Sequence, residues 1–283
     1  MGKCIDLHIH STMSDGSHSP AEIITLAAKI GLSAIALTDH DSIEGVAEAT
    51  RQSKALNIGF LTGIEFSVLY ESRLLHILAL GFDMNNPQFC AAYSKMKIAR
   101  EENIPTLLEQ LKKQEVSLDI NCLKNYALTK QLDRYALMRF FMAQGTSLTV
   151  QQIWDVYLDP ISYGPDEIMS AEEVLSIIKA AGGLTFLAHY NKPIGLAGFS
   201  ANEMEEQIKD LKHLGLSGIE TYYPSYSSTD KDFAEYLVVK YGLLASGGTD
   251  FHGTNRPNIQ LGTGNGDMTI PYCLYEQIAK RIR

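Results

Sequence analysis

The stretch Ser33-Ala34-Ile35-Ala36-Leu37-Thr38-Asp39-His40-Asp41-Ser42-Ile43-Glu44 runs from a strand into a helix start, with metal-type ligands at the join. Ser33 to Thr38 is short, mostly apolar and bounded by turn residues, as a buried strand should be. Asp41-Ser42-Ile43-Glu44 places a capping oxygen three residues before a glutamate, which marks a helix N-terminus. The same pattern recurs outward from it. Further strands are predicted at Cys4 to His8, Ile58 to Glu65, Leu74 to Gly81, Leu184 to His189, Ser217 to Thr221 and Leu243 to Gly247. Helix starts with the same cap spacing stand at Ser19-Pro20-Ala21-Glu22, Ser170-Ala171-Glu172-Glu173 and Ser200-Ala201-Asn202-Glu203. About seven strands alternating with amphipathic helices give the α/β class, a parallel sheet with helices outside.

The alternation fails between roughly Pro87 and Pro165, where Phe89 to Lys113, Tyr135 to Gln144 and Val150 to Tyr157 all read as helix. The expected organisation is therefore a first barrel part over 1–86, a helical insertion over 87–165 that covers the site, and a second barrel part over 166–283.

Composition removes several classes. The 283 residues are 45% hydrophobic and 20% charged, which fits neither disorder nor a coiled coil. The most apolar stretch, Leu74 to Phe82, is broken by His76 and is far shorter than the roughly 20 residues of a membrane span. No basic run followed by an apolar block opens the chain, so a cytoplasmic location is expected. Cys4, Cys90, Cys122 and Cys273 have no C-x-x-C spacing and suit reduced, buried thiols better than a disulfide frame. A net charge of -9 argues against a broad basic face for long duplex nucleic acid, but leaves room for a small anion at one local site.

The histidines concentrate on one rim. His8, His40 and His189 close predicted strands, and His10 and His252 lie just beyond one. The carboxyl ends of parallel barrel strands share a face, and chemistry is built there. Asp15, Asp39, Glu65 and Asp250 reach the same rim, while His76 lies within the fourth strand. Mixed imidazole and carboxylate donors suit zinc, manganese or iron better than magnesium or calcium. Other polar residues read as structural: His18 as solvated, His213 as favoured by a helix C-terminus, and Asp41 as a helix cap. Asp39 fits either a ligand or a group orienting a neighbouring histidine.

With these residues in place, the sequence resembles the PHP (polymerase and histidinol phosphatase) family of metal-dependent phosphoesterases. Asp6-Leu7-His8-Ile9-His10-Ser11, with Ser14-Asp15-Gly16 after it, resembles the first family motif, and Leu37-Thr38-Asp39-His40-Asp41 the second. Ala188-His189 resembles the third, and Ser246-Gly247-Gly248-Thr249-Asp250-Phe251-His252-Gly253 the fourth. Gly63-Ile64-Glu65-Phe66-Ser67 and His76 also fall where the family places ligands. The resemblance implies a distorted seven-stranded (β/α)7 barrel, the PHP fold, and three divalent metal ions. Carried over by position, His8, His10, Glu65 and Asp250 would hold one ion. Glu65 would bridge to a second, held by His76 and His189, while Asp15, His40 and His252 would hold the third. Glu65, Asp250 and His252 are the catalytic candidates.

Within the family the chain is similar to the stand-alone bacterial branch acting on nucleoside 3',5'-bisphosphates and on the 5' ends of short RNA. Ala99-Arg100-Glu101-Glu102-Asn103, Asp133-Arg134 and Ala180-Ala181-Gly182-Gly183 support that placement. Asp133-Arg134-Tyr135-Ala136, where the branch has Gly-Arg-Pro-His, and Tyr190, where it has proline, depart from it.

The chemistry follows from the ligand set. Coordination lowers the pKa of water from about 15.7 toward about 7, so a metal-bridging hydroxide can attack phosphorus without a protein nucleophile. No convincing catalytic triad is present to compete with it. Arg134 is the first candidate to clamp a phosphate, with Lys192 and Arg256 behind it, and Tyr222 and Tyr223 are candidates to stack on a base. The expected substrate is a small phosphate ester, first the 3'-phosphate of nucleoside 3',5'-bisphosphates and then short single-stranded oligonucleotides. Histidinol phosphate is the alternative substrate. A metal-binding accessory or regulatory module is the alternative of another class.

Overall fold

A computed structural model describes residues 2–282. The chain divides into two compact units, one of residues 1–89 with 170–283 and one of residues 90–169.

The first unit carries the strands β1 (Cys4–Asp6), β2 (Leu32–Ala36), β3 (Gly59–Leu61), β4 (Gly63–Tyr70), β5 (Arg73–Leu80), β6 (Met169–Ser170), β7 (Leu184–Leu187), β8 (Gly218–Tyr222) and β9 (Leu244–Gly247), β6 lying at its boundary. Among the described residues they form a three-stranded sheet of order β1-β2-β3 and a six-stranded sheet of order β6-β4-β5-β7-β8-β9. The fold is thus α/β with a parallel and a mixed sheet of nine strands among the described residues, where a distorted seven-stranded (β/α)7 barrel was expected. Two features account for the difference. The predicted strand Ile58 to Glu65 is interrupted at Thr62, giving β3 and β4 to different sheets, and β6 is added. The next strand follows β4 after only Glu71 and Ser72, and so short a link can join strands only as an antiparallel hairpin. Glu71 takes a left-handed φ of 52° to make that turn. β5 then pairs antiparallel with β7, after which β7, β8 and β9 run parallel. The two sheets meet through single parallel bridges, Ile9 to Phe251 and His40 to Glu65.

The helices α1 (Pro20–Ile30) and α2 (Val46–Leu56) follow β1 and β2. In α1 the predicted start is realised in full: Ser19 and Glu22 form a reciprocal capping box, Pro20 opens the first turn, and Gly31 ends the helix at φ 84°. The apolar face of α1 packs Ile23, Ile24 and Ala27 against Ile9, Ile35 and Leu37. The expected cap at Asp41 is corrected. α2 begins later, with Gly45 at its N-cap, and the Asp41 carboxylate instead accepts from Ser67 N at 3.0 Å.

Next in chain order come α3 (Pro87–Glu102), α4 (Ile104–Lys113), α5 (Ile120–Leu123), α6 (Arg134–Ala143) and α7 (Val150–Ile153); the single helix expected over Phe89 to Lys113 is broken at Asn103, before Pro105 in the first turn of α4, and α5 was not expected. The second unit has its own core, with Leu107, Leu111, Leu137, Phe141, Ile153 and Leu158 buried together. The first unit resumes with α8 (Ala171–Ala180), α9 (Ala201–Leu214), α10 (Ser228–Tyr241) and α11 (Tyr272–Ala279). Among the described residues no helix is long and apolar enough to cross a membrane.

Candidate metal centre

Strand ends and the loops after them build the site. The Thr38 N–H donates to the Ile9 carbonyl at 2.9 Å, and the Ile9 N–H to the Thr38 hydroxyl at 2.9 Å, so His10 and His40 emerge side by side. Asp39 then fixes the loop that carries Asp15. Its carboxylate accepts from Ser11 N and Ser11 Oγ, both at 2.6 Å, and from Ser14 Oγ at 2.7 Å. Of the two roles open to Asp39, neither describes these contacts, because its partners are serines of the first motif. Asp6 ties the first motif to the fourth by accepting from Thr249 N at 2.9 Å, Thr249 Oγ1 at 2.5 Å and Gly262 N at 2.9 Å. Gly248 must lack a side chain, since a Cβ there would sit 2.1 Å from the Cβ of His8.

Glu65 stands at the middle of the cluster. Its Oε2 lies 3.1 Å from His8 Nε2, 3.2 Å from His10 Nε2 and 3.1 Å from His40 Nδ1. Its Oε1 lies 3.0 Å from His76 Nδ1 and 3.1 Å from His189 Nε2. Asp250 Oδ1 approaches His10 Nε2 at 3.0 Å and His8 Nε2 at 3.5 Å, and Asp15 Oδ1 approaches His252 Nε2 at 3.2 Å. Ligand-type atoms gather within 4.8 Å of one another in three sets: His8, His10, Glu65 and Asp250; His10, Asp15, His40 and His252; and His40, Glu65 and His76. All nine predicted donors are therefore in one buried cluster, and His189 reaches it through Glu65.

Two observations test whether divalent cations fit. The buried atoms His8 Nε2, His10 Nε2, Asp15 Oδ1, Glu65 Oε2, His76 Nδ1 and His252 Nε2 make no aligned hydrogen bond, although they stand close together. Leaving so many buried polar atoms unsatisfied would cost several kcal/mol, roughly 1–3 each, unless something they all accept is shared among them. A cation meets that need, and the nitrogen and oxygen donor set is that of a transition metal. The second observation is strain. Asp41, His189 and Asp250 hold φ values of 48°, 27° and 54°, a region that non-glycine residues rarely adopt and that concentrates at functional sites.

Charge states divide the donors between those ready for a cation and those that hold a proton. Burial pushes the Glu65 carboxyl up, but His8, His40 and His76 outweigh it and hold it well below the usual carboxylate range. Asp15 is depressed in the same way against its burial by His252 and His40, and Asp250 by Arg256 and His8. Burial pulls His40 and His252 down, which keeps their rings neutral. His8 is raised well above its usual value, the charges of Glu65, Glu220 and Asp250 overcoming burial. His10 is pushed up to about 9, the neighbouring Asp250 and Glu65 carboxylates again overcoming burial.

Outside the donors, one group escaped the sequence reading. Glu220 in β8 is fully buried, takes His8 Nδ1 at 3.0 Å on one oxygen and accepts from His189 N at 2.7 Å on the other. It fixes the His8 tautomer so that Nε2 faces the cluster. A charged residue within the apolar strand Gly218-Ile219-Glu220-Thr221 was the available signal. His252 Nδ1 likewise donates to the Asp250 carbonyl at 2.7 Å, turning Nε2 toward Asp15.

The expected phosphate clamps are placed differently from one another. Arg134 belongs to the helical unit, where Nη1 donates to the Leu158 and Ile161 carbonyls at 2.6 and 2.8 Å and Nη2 to Ser162 O at 3.2 Å. Its guanidinium also stacks on Tyr163, so the fork expected for phosphate is spent on that unit's own backbone. Lys192 Nζ donates to Ser225 O at 3.3 Å near the exposed surface. Arg256 and Tyr223, by contrast, both reach Asp250. Tyr222 packs under Lys231.

The PHP domain model matches residues 6–121. The chain is 29% identical over 283 residues to a 3',5'-nucleoside bisphosphate phosphatase of Chromobacterium violaceum, covering 98% of this chain and 97% of that one. It is 30% identical over 260 residues to a 5'-3' exoribonuclease of Haemophilus influenzae, covering 89% and 91%. A solved structure of a Bifidobacterium adolescentis protein superposes with a TM-score of 0.85 at 24% identity, covering 99% and 97%, a likeness of fold. With its motifs assembled into one donor cluster and these similarities spanning nearly its full length, the chain belongs to the PHP-domain family of metal-dependent phosphoesterases.

Proposed function

We propose that this phosphoesterase removes the 3'-phosphate of nucleoside 3',5'-bisphosphates and also trims short oligonucleotides from the 5' end. The observation that carries the reading is the gathering of nine buried ligand side chains, Glu65 in their middle, into one cluster. The names of the two relatives, a bisphosphate phosphatase and an exoribonuclease, support the nucleotide class.

By the family resemblance three ions are assigned, one to His8, His10, Glu65 and Asp250, one to Glu65, His76 and His189, and one to Asp15, His40 and His252; the observed groupings support this with His40 also beside Glu65 and His76, and His10 also beside Asp15. Manganese, iron and zinc all accept these donors. When bound, such ions supply Lewis acidity, lowering the pKa of coordinated water toward about 7 and offsetting phosphate charge. The chain's own residues do the rest. Glu220 and the Asp250 carbonyl hold His8 and His252 in their ligating tautomers. Asp39 and Asp6 hold the two motif loops so that the donors need no rearrangement when substrate arrives. Glu65, Asp250 and His252 are assigned the catalytic roles in this reading.

Release of inorganic phosphate from adenosine 3',5'-bisphosphate in the presence of manganese tests the assignment. Turnover abolished by His10→Ala is expected, whereas turnover of histidinol phosphate alone in a side-by-side panel would replace the substrate. Metal content without hydrolysis of any phosphomonoester or diester would point to an accessory module.

A further inference from the structure

Asp250 is bound on both of its carboxylate oxygens, and by groups of different kinds. Oδ1 faces His8 and His10, whereas Oδ2 accepts from Arg256 Nη1 at 2.5 Å and from Tyr223 Oη at 2.9 Å. The backbone of Asp250 is held as well, its N–H donating to His8 O at 2.8 Å and its carbonyl accepting from His252. The carboxylate therefore cannot turn to offer both oxygens to the cluster. Tyr223 also meets the His189 ring in an edge-type contact with ring centroids 5.6 Å apart, so it touches two members of the donor set.

Arg256 has donors to spare. A guanidinium carries five N–H groups in a planar fork, and among the described residues Asp250 is its one hydrogen-bonded acceptor. Its side chain is 36% exposed, unlike Arg134, whose side chain is 7% exposed. A cation fixed against a ligand carboxylate and partly exposed, with N–H groups beyond the one Asp250 takes, is suited to receive an oxyanion entering beside that carboxylate.

We propose that Arg256 is the phosphate-recognising residue of the site, anchored by the Asp250 oxygen that Tyr223 also holds, and that the same contacts restrict Asp250 to a single oxygen toward the metal cluster. The substrate class is a phosphate ester with at least two free nonbridging oxygens, the geometry that a guanidinium fork matches. This inference rests on the phosphoesterase reading but not on the nucleotide, so inorganic phosphate is the probe.

Calorimetric titration of inorganic phosphate into manganese-loaded protein, with metal content measured on the same samples, separates the roles. Arg256→Gln is expected to weaken phosphate binding about 10- to 100-fold. Arg256→Lys keeps a charge for Asp250 without the fork, so it should retain metal and still lose phosphate affinity. Tyr223→Phe removes the second donor on Asp250 Oδ2 and leaves the guanidinium in place, so it should weaken phosphate binding by less than Arg256→Gln does. If Arg256→Gln loses its metal, Arg256→Lys decides. Wild-type phosphate affinity in a metal-loaded Arg256→Lys or Arg256→Gln protein overturns the proposal, and failure to hydrolyse adenosine 3',5'-bisphosphate would leave this result standing.

Discussion

At the residue scale, seven of the nine donors sit in loops that follow strand ends, while Glu65 lies within β4 and His76 within β5. His8, His10, Asp15, His40, Glu65, His76, His189, Asp250 and His252 are all buried and all in the cluster. What the sequence hid is the layer behind them. Glu220 looks like one glutamate among many until β8 places it against His8, and Arg134 looks available until its carbonyl partners are seen. Glu220→Gln tests that hidden layer. The amide keeps the shape but loses the charge that orients the His8 imidazole, so metal affinity should fall about 10- to 100-fold with the fold intact. Calorimetric metal titration together with circular dichroism checks this, and unchanged affinity would remove Glu220 from the site.

At the element scale, helix starts were easy to read and strand pairing was not. Ser200 caps α9 through a reciprocal box with Glu203, as its spacing indicated, because the signal is local. Ser200→Ala should therefore cost about 1 kcal/mol, read as a lower denaturant midpoint with an unchanged slope, with manganese affinity unaffected. Pairing direction depends on distant partners. The β4 and β5 segments look like the other strands, yet the two residues between them impose a hairpin and so make the second sheet mixed. The hairpin also explains why His76, in the middle of β5, reaches Glu65 on β4 although it closes no strand. His76 lies opposite Ser67, two residues beyond Glu65 and on the same face of the ladder.

At the scale of the whole molecule, the chain of net charge -9 gathers imidazoles and carboxylates into one interior site, and that site couples metal binding to protons. His10 is pushed up to about 9, so in metal-free protein at neutral pH it carries a proton that a cation must displace. The sign follows. Below about 9 the proton competes, so metal affinity should rise with pH, by up to about tenfold per unit for each proton released. Calorimetry in buffers of different ionisation enthalpy should show proton release on loading, and an affinity that is flat from about pH 6.5 to about pH 8.5 would contradict it. The seven-strand count failed at this scale for a related reason, because closure is a property of all the ladders together and one interrupted strand at Thr62 alters it.

Elemental analysis of the purified protein, alongside a Glu65→Gln variant, bears most directly on the claim that these side chains hold metal. Since Glu65 touches five histidines, wild-type protein loaded with manganese and then desalted should retain more than one equivalent of transition metal per chain, and the variant should retain much less. Wild-type protein that comes through desalting with no metal, or a variant that keeps the full complement, would contradict it.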